Sequence, residues 1–291
     1  MTATLLLMQD SSTVCLELDS RPERLTLVRS MLAGVGELVR FDPELVDDLK
    51  TVVSEACSNV VLHAYGSVPG PLVVTMEINE QNVELVVRDR GAGIRSVAPA
   101  EDRMGVGLAL INALADRAEF LAAPGGGTEV RMTFTPKCGD VSRLGPDGRG
   151  RPFGQPPMRL SGDVVVTLSP VGLLTGVLGR IARALAASAR FSLDRFADVY
   201  LVTDAIAAHA ERAACAADVR FAIAAGERRL ELRIGPFRPG SGAGLQACAP
   251  SAWPGSALAL LADELSIEPV EDAELLRVVL VDRRRGAPTA R

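Results

Sequence analysis

Residues 55–66 read Glu55-Ala-Cys-Ser-Asn-Val-Val-Leu-His63-Ala-Tyr-Gly66. Upstream, Asp42-Pro43-Glu44 has the form of a helix start, with Asp42 as the cap and Pro43 at the first helical position. Leu45, Val46, Leu49, Val52, Val53 and Ala56 then recur at helical spacing, which predicts a helix to about residue 64. Tyr65-Gly66 and Pro69-Gly-Pro71 end it. Glu55 and Asn59 are four apart, so their side chains share one helix face. A carboxylate beside a carboxamide on an otherwise apolar helix can bind Mg²⁺, which prefers oxygen ligands, or position a nucleophile. By itself the pattern is weak and reads first as the polar edge of an amphipathic helix.

Working outward, residues 14–18 alternate and read as a strand. Ser20-Arg-Pro-Glu23 has capping-box spacing and predicts a helix through about residue 38. After the central helix, residues 72–78 and 83–88 form two strands around a polar turn, a hairpin. A helix is expected over about 105–118, then strands at 120–122 and 129–134 around Pro124-Gly-Gly-Gly127. The order strand, two helices, hairpin, helix, hairpin predicts an α+β sandwich, a mostly antiparallel sheet with helices on one face.

Two glycine-bearing motifs follow the first. Asp89-Arg-Gly-Ala-Gly93 stands directly after a strand. Glycines let backbone approach a ligand and adopt positive φ, and the carboxylate can accept a hydrogen bond from an amino group such as that of adenine. Asp and Gly also cluster in plain turns. Gly105-Val-Gly-Leu108 opens the next helix, where free N–H groups and the helix dipole suit phosphate. No Gly-Lys-Ser/Thr follows any glycine run, so this is not a P-loop.

Composition narrows the classes. The net charge is −5 with no long basic run, which argues against direct nucleic-acid binding. The five cysteines are scattered, and the two histidines are few for a zinc site,. The absence of a membrane-span run and of a basic leader predicts a soluble protein of a reducing compartment, the cytoplasm.

Taken together and in order, the three motifs resemble the GHKL (Bergerat-fold) ATPase superfamily. Glu55 to Asn59 matches its N box, Asp89 to Gly93 its G1 box and Gly105 to Leu108 its G2 box. Within it, Glu-Ala-x-Ser-Asn followed by His-Ala-Tyr-Gly, with a short lid at about 94–104, resembles the anti-sigma-factor serine kinases. The resemblance covers nearly all of the first half. It implies that Asn59 holds Mg²⁺ on the ATP phosphates, that Glu55 is general base toward the attacking hydroxyl, and that Asp89 binds the adenine amino group. Gly91, Gly93, Gly105, Gly107 and Leu108 would shape the pocket and cradle phosphate, and Thr128 would lie near the nucleotide. Arg103, in the lid, would reach a terminal phosphate or lie solvated. For His63 and Tyr65 packing is the expected role.

Residues 136–160 are rich in Gly, Pro and Arg and read as a flexible linker. Beyond it the chain repeats itself. Phe41 to Asp48 aligns with Phe191 to Asp198, Val83 to Val87 with Leu230 to Ile234, Gly105 to Leu110 with Gly255 to Leu260, and Ala115-Asp116 with Ala262-Asp263. The three motifs are lost. An ungapped match sets Ala205 at Glu55 and His209 at Asn59; a one-residue shift sets Asp204 and Ala208 there. Pro236 replaces Asp89, Arg238 replaces Gly91, and Ser256 and Ala257 replace Val106 and Gly107. The expectation is two tandem Bergerat-type sandwiches: an ATP-binding domain (1–135), the linker, and a degenerate copy (161–285).

Two functions follow. The first is an ATP-dependent serine protein kinase and anti-sigma factor, acting on an STAS-type anti-anti-sigma protein and sequestering a sigma factor. The second is a nucleotide-binding regulatory module with little or no kinase activity. Kinases of this group are typically homodimers, so the second copy is expected to dock on the first as a pseudo-dimer, with a homodimer the other arrangement. A sensor histidine kinase is disfavoured, because no phosphoacceptor-His helix precedes the domain.

Overall fold

A computed structural model of the chain describes residues 11–79, 81–93, 106–136, 160–246 and 255–283. The expected lid at 94–104, Gly105 and nearly all of the expected linker lie outside them. The first half runs β1 (Ser12–Asp19), a 3-10 turn (Pro22–Arg24), α1 (Leu25–Val39), α2 (Pro43–His63), β2 (Pro71–Ile78), β3 (Val83–Asp89), α3 (Val106–Leu114), β4 (Arg117–Ala122) and β5 (Thr128–Phe134). The second half runs β6 (Val164–Ser169), a 3-10 turn (Val171–Leu173), α4 (Leu174–Ser188), α5 (Leu193–Ala213), β7 (Val219–Gly226), β8 (Arg229–Phe237), the short α6 (Ala243–Gln246), α7 (Gly255–Leu261), β9 (Glu264–Val270) and β10 (Ala273–Val281).

All ten strands form one antiparallel sheet in the order β4-β5-β3-β2-β1-β6-β7-β8-β10-β9. The order reads the same from either end once β1 is exchanged with β6, β2 with β7, β3 with β8, β4 with β9 and β5 with β10. Helices α1 and α4 are both 15 residues long, and α2 and α5 are both 21. Small details repeat too. Arg40 and Arg190 close α1 and α4 with φ of 60° and 59°. Asp116 Oδ2 accepts from the Thr135 N–H at 2.6 Å, and Asp263 Oδ2 from the Val281 N–H at 2.8 Å. The two sandwiches expected from the sequence are thus joined edge to edge.

Local chemistry explains the elements that carry the site. Asp42 caps α2 by accepting from the Glu44 N–H at 2.9 Å, with Pro43 in the first turn. Leu49, Val52, Val53, Ala56, Cys57 and Val60 form its buried face. Strand β2 alternates, with Leu72, Val74, Met76 and Ile78 buried. Two boundaries differ from the sequence expectation. Ser20 is not a helix cap: its Oγ accepts from the Gly70 N–H at 3.0 Å and its N–H donates to the Gly70 carbonyl at 2.8 Å. Helix α3 stops at Leu114 rather than near 118, because the Asp116 N–H donates to the Thr133 carbonyl and draws the chain into β4.

The two halves meet along β1–β6 and α1–α4. Leu16 pairs with Val166 and Glu17 with Val165 at the middle of the strand seam. On the helix side Val14, Leu16, Leu18, Val164, Val166 and Leu168 are all buried in one continuous core. Each such side chain contributes about 1.5–3 kcal/mol. The seam ion pairs are smaller terms, about 0–1 kcal/mol each where exposed. They are Arg24–Asp163 at 2.6 Å, Arg220–Glu17 at 2.7 Å, and Arg180–Glu37. Apolar burial therefore holds the halves together. The segment Val171–Ser188, mean hydropathy 1.3, is long and apolar enough by composition to cross a membrane, which the sequence reading did not anticipate. In the fold it is the seam helix, with Leu174, Val177, Leu178, Ile181 and Leu185 buried.

Helices α1 and α4 touch at Gly34 and Gly176. A Cβ on Gly34 would lie 2.0 Å from the Gly176 carbonyl oxygen. Helix propensity favours Gly34→Ala by about 1 kcal/mol, whereas overpacking costs about 1–3 kcal/mol. The contact is to rigid backbone, so the expected outcome is net destabilisation in thermal or urea unfolding of the full chain. A rise in melting temperature would contradict the close crossing.

Candidate nucleotide site

Helix α2 is the floor of the site. Glu55 and Asn59 lie half-buried on it, and Ala64 caps its end. The structure packs α3 across α2 at Glu55: a Cβ on Gly107 would sit 2.5 Å from Glu55 Oε2. A Cβ there would turn that flexible carboxylate away from the first turn of α3. Leu108 follows, also half-buried.

Asp89 ends β3 and is 3% exposed. Its Oδ1 accepts from the Gly91 N–H at 2.7 Å. A carboxylate has about four acceptor sites, so this turn bond leaves it capacity for a ligand amino group. Gly91 lies against the end of α2, where a Cβ would meet the Ala64 carbonyl oxygen at 2.1 Å. The Ala92 N–H donates to that carbonyl at 2.9 Å. Gly93 has φ +73° and faces the Gly127 carbonyl. Gly127, at φ +92°, presses on the Asp89–Arg90 backbone, where a Cβ would be 2.2 Å from the Asp89 carbonyl oxygen. Thr128 then opens β5, half-buried.

The fold thus sets Gly107 beside Glu55 on α2 and brings Asp89, Gly91, Gly93 and Gly127 together near its end, with Asn59 on the helix between and Leu108 and Thr128 next in the chain to Gly107 and Gly127. Gly105 and Arg103 lie outside the described residues. His63, expected to pack, is exposed at the last turn of α2. Cys57, on the opposite face from Glu55, is fully buried, and burial pushes its thiol up to about 12; it is a neutral packing group. Sequence reasoning missed two residues. Gly127 was visible only as one of three glycines in a turn. Tyr65 belongs to the quoted motif, yet its hydroxyl accepts from the Arg90 N–H at 2.6 Å and donates to the Pro71 carbonyl at 2.5 Å.

In the corresponding region of the second half other side chains stand at the motif positions. In the ungapped register Ala205 and His209 take the places of Glu55 and Asn59 on α5, and both are buried; Asp204 is exposed. The His209 ring packs edge-on to Phe237, centroids 5.1 Å apart. Burial, and then Arg212, pull its imidazole below the usual histidine range. Among the described residues its Nε2 has no hydrogen-bond partner. Glu274, near the start of β10 as Thr128 is at the start of β5, accepts from the Gly242 N–H at 3.0 Å and from the Gly240 N–H. Arg238, where Gly91 stands in the first half, donates its backbone N–H to the Ala213 carbonyl at 2.8 Å.

Comparison with known proteins places these features. The family described as histidine kinase-like ATPase domain matches residues 18–134. The anti-sigma F factor of Pasteuria penetrans is 35% identical over 115 residues, covering 35% of this chain and 77% of that protein. The anti-sigma F factor of Caldanaerobacter subterraneus subsp. tengcongensis is 32% identical over 126 residues, covering 39% of this chain and 87% of that protein. The serine-protein kinase RsbW of Bacillus thuringiensis (strain Al Hakam) is 28% identical over 120 residues, 36% of this chain and 75% of that protein. The motifs, the fold around α2 and these relatives agree: the chain belongs to the anti-sigma-factor serine kinase family of the GHKL ATPase superfamily.

Proposed function

We propose that the first half binds Mg-ATP and transfers the γ-phosphoryl group to a serine of an STAS-type anti-anti-sigma protein, and that the chain sequesters a sigma factor. The observation that carries this reading is the Glu55 carboxylate lying beside Gly107 at the first turn of α3. A protein that only bound nucleotide would need no base there.

Helix geometry sets the layout. Glu55 and Ala64 lie roughly 13 Å apart along α2 at about 1.5 Å per residue. Asp89 and Gly91 stand at the Ala64 end and Gly107 at the Glu55 end. The adenine amino group would donate to Asp89, and the phosphates would lie toward α3, whose N-terminal dipole favours anions. The oxygen donors of Asn59 and Glu55 on one half-buried face fit Mg²⁺. When bound, that ion neutralises phosphate charge; Asn59 would hold it. Glu55 takes the proton of the attacking serine hydroxyl as its oxygen bonds to the γ-phosphorus and the bond to the β,γ-bridging oxygen breaks, releasing ADP.

The second half would serve as a built-in partner, forming a pseudo-dimer through β1–β6 and α1–α4. It would not bind ATP, since Ala205, His209 and Pro236 stand at the Glu55, Asn59 and Asp89 places. We place the chain in the cytoplasm, without direct nucleic-acid contact. The alternative, a nucleotide-binding regulator with little kinase activity, draws on the same degenerate second half.

Three outcomes are expected. With radiolabelled ATP and STAS-domain candidates, the wild-type chain should label a serine, while Glu55→Ala should still bind ATP and lose at least about 100-fold in transfer, the scale of a general base. ATP binding with no partner ever labelled would favour the alternative reading. Gly127→Ala should weaken ATP binding, because its Cβ would push the Asp89 backbone; unchanged affinity would contradict the layout. Light scattering after size exclusion should give a monomer mass; a tight homodimer would count against the pseudo-dimer.

A further inference from the structure

Tyr65 lies two residues beyond the end of α2. Its ring lies against Gly70, where a Cβ would be 2.3 Å from the ring. The hydroxyl is used fully. It accepts from the Arg90 N–H at 2.6 Å and donates to the Pro71 carbonyl at 2.5 Å. Burial pushes the phenol up, and the Arg90 hydrogen bond only partly offsets this, so the group is a neutral O–H that can serve as donor and acceptor at once.

These bonds fix one particular segment. Arg90 follows Asp89 directly, so the plane of the Asp89–Arg90 peptide is set by the tyrosine. Gly127 packs against the same peptide. The next two residues are tied as well, Gly91 to the Asp89 carboxylate and Ala92 to Ala64. Gly70 is itself anchored by two hydrogen bonds to Ser20, so the clasp reaches back to the end of β1. Of the ties on residues 89–92, the tyrosine's is the one made by a side chain from outside the loop.

The second half lacks both parts together. Cys215 stands two residues after α5, as Tyr65 does after α2, and it is exposed. There the backbone closes directly, with the Cys215 N–H donating to the Pro236 carbonyl at 3.4 Å. Pro236 occupies the Asp89 place. Where no carboxylate is presented, no tyrosine holds the loop.

We infer that Tyr65 is a positioning residue for adenine recognition: its hydroxyl clamps the Asp89–Arg90 peptide so that the Asp89 carboxylate meets the 6-amino group. This rests on the proposal that Asp89 reads adenine. Preorganisation of this kind acts on selectivity, since a misplaced acceptor loses the amino-group hydrogen bond and leaves the phosphate contacts intact.

The test is Tyr65→Phe in the full chain, which keeps the ring on Gly70. Affinity is measured for ATP and for purine riboside triphosphate, which lacks the 6-amino group. The expected result is about tenfold weaker ATP binding, the worth of about one hydrogen bond, with purine riboside triphosphate unchanged. Equal weakening of both, or no change in their ratio, overturns the proposal. Asp89→Ala, which removes the acceptor, separates the two readings. If it leaves the preference for ATP intact, adenine reading by Asp89 fails; if it removes the preference while Tyr65→Phe does not, only the tyrosine role fails. Should Tyr65→Phe not fold, amide exchange of the wild-type chain decides: the Arg90 N–H should exchange slowly without nucleotide, and fast exchange overturns the clamp.

Discussion

Strand β1 has antiparallel partners on both of its edges, β2 on one side and β6 on the other. An unpaired strand edge is a row of unsatisfied donors and acceptors that invites another chain. Here β6 fills it, and the apolar faces of both strands continue into one core. The β1–β6 pairing brings α1 and α4 together above the sheet, and the two glycines let them cross closely. Helix α2 packs on α1 from the other side and carries Glu55 and Asn59. The position of the site relative to the rest of the molecule therefore traces back to this seam.

The two halves keep the same frame and differ where a ligand would go. In the first half, glycines lie where side chains would collide with backbone or with Glu55. In the second, Arg238 stands at the Gly91 place and Ala257 at the Gly107 place, and a carboxylate from β10 takes up backbone N–H groups itself. The frame is set by strand alternation and helix periodicity, which tolerate many apolar residues. The site is set by a few positions without room for a Cβ, and two of these, Gly91 and Gly107, were not kept.

Much of this was legible from the sequence, for reasons that individual residues make plain. The Asp42-Pro43 start and the spacing from Leu45 to Ala56 write α2 directly. The repeat was visible because Phe41 and Phe191, or Asp116 and Asp263, hold equivalent turns. The site motifs could be read because glycine and carboxylate spacing is local. The seam could not be read. It consists of main-chain hydrogen bonds between strands far apart in sequence, and Gly34 and Gly176 look like ordinary helix glycines until the helices cross. Ser20 has the spacing of a cap, but the Gly70 backbone offers a competing partner. Glu274 is one acidic residue among many in the chain, and only the fold brings it to the glycines of the loop after β8.

The central claim is one catalytic copy and one partner copy in a single chain. Calorimetric titration of the full-length chain with ATP in the presence of Mg²⁺ tests it most directly. The account predicts one site per chain, lost in Asn59→Ala and retained in His209→Ala. Two sites per chain, or one site that survives Asn59→Ala, would contradict it.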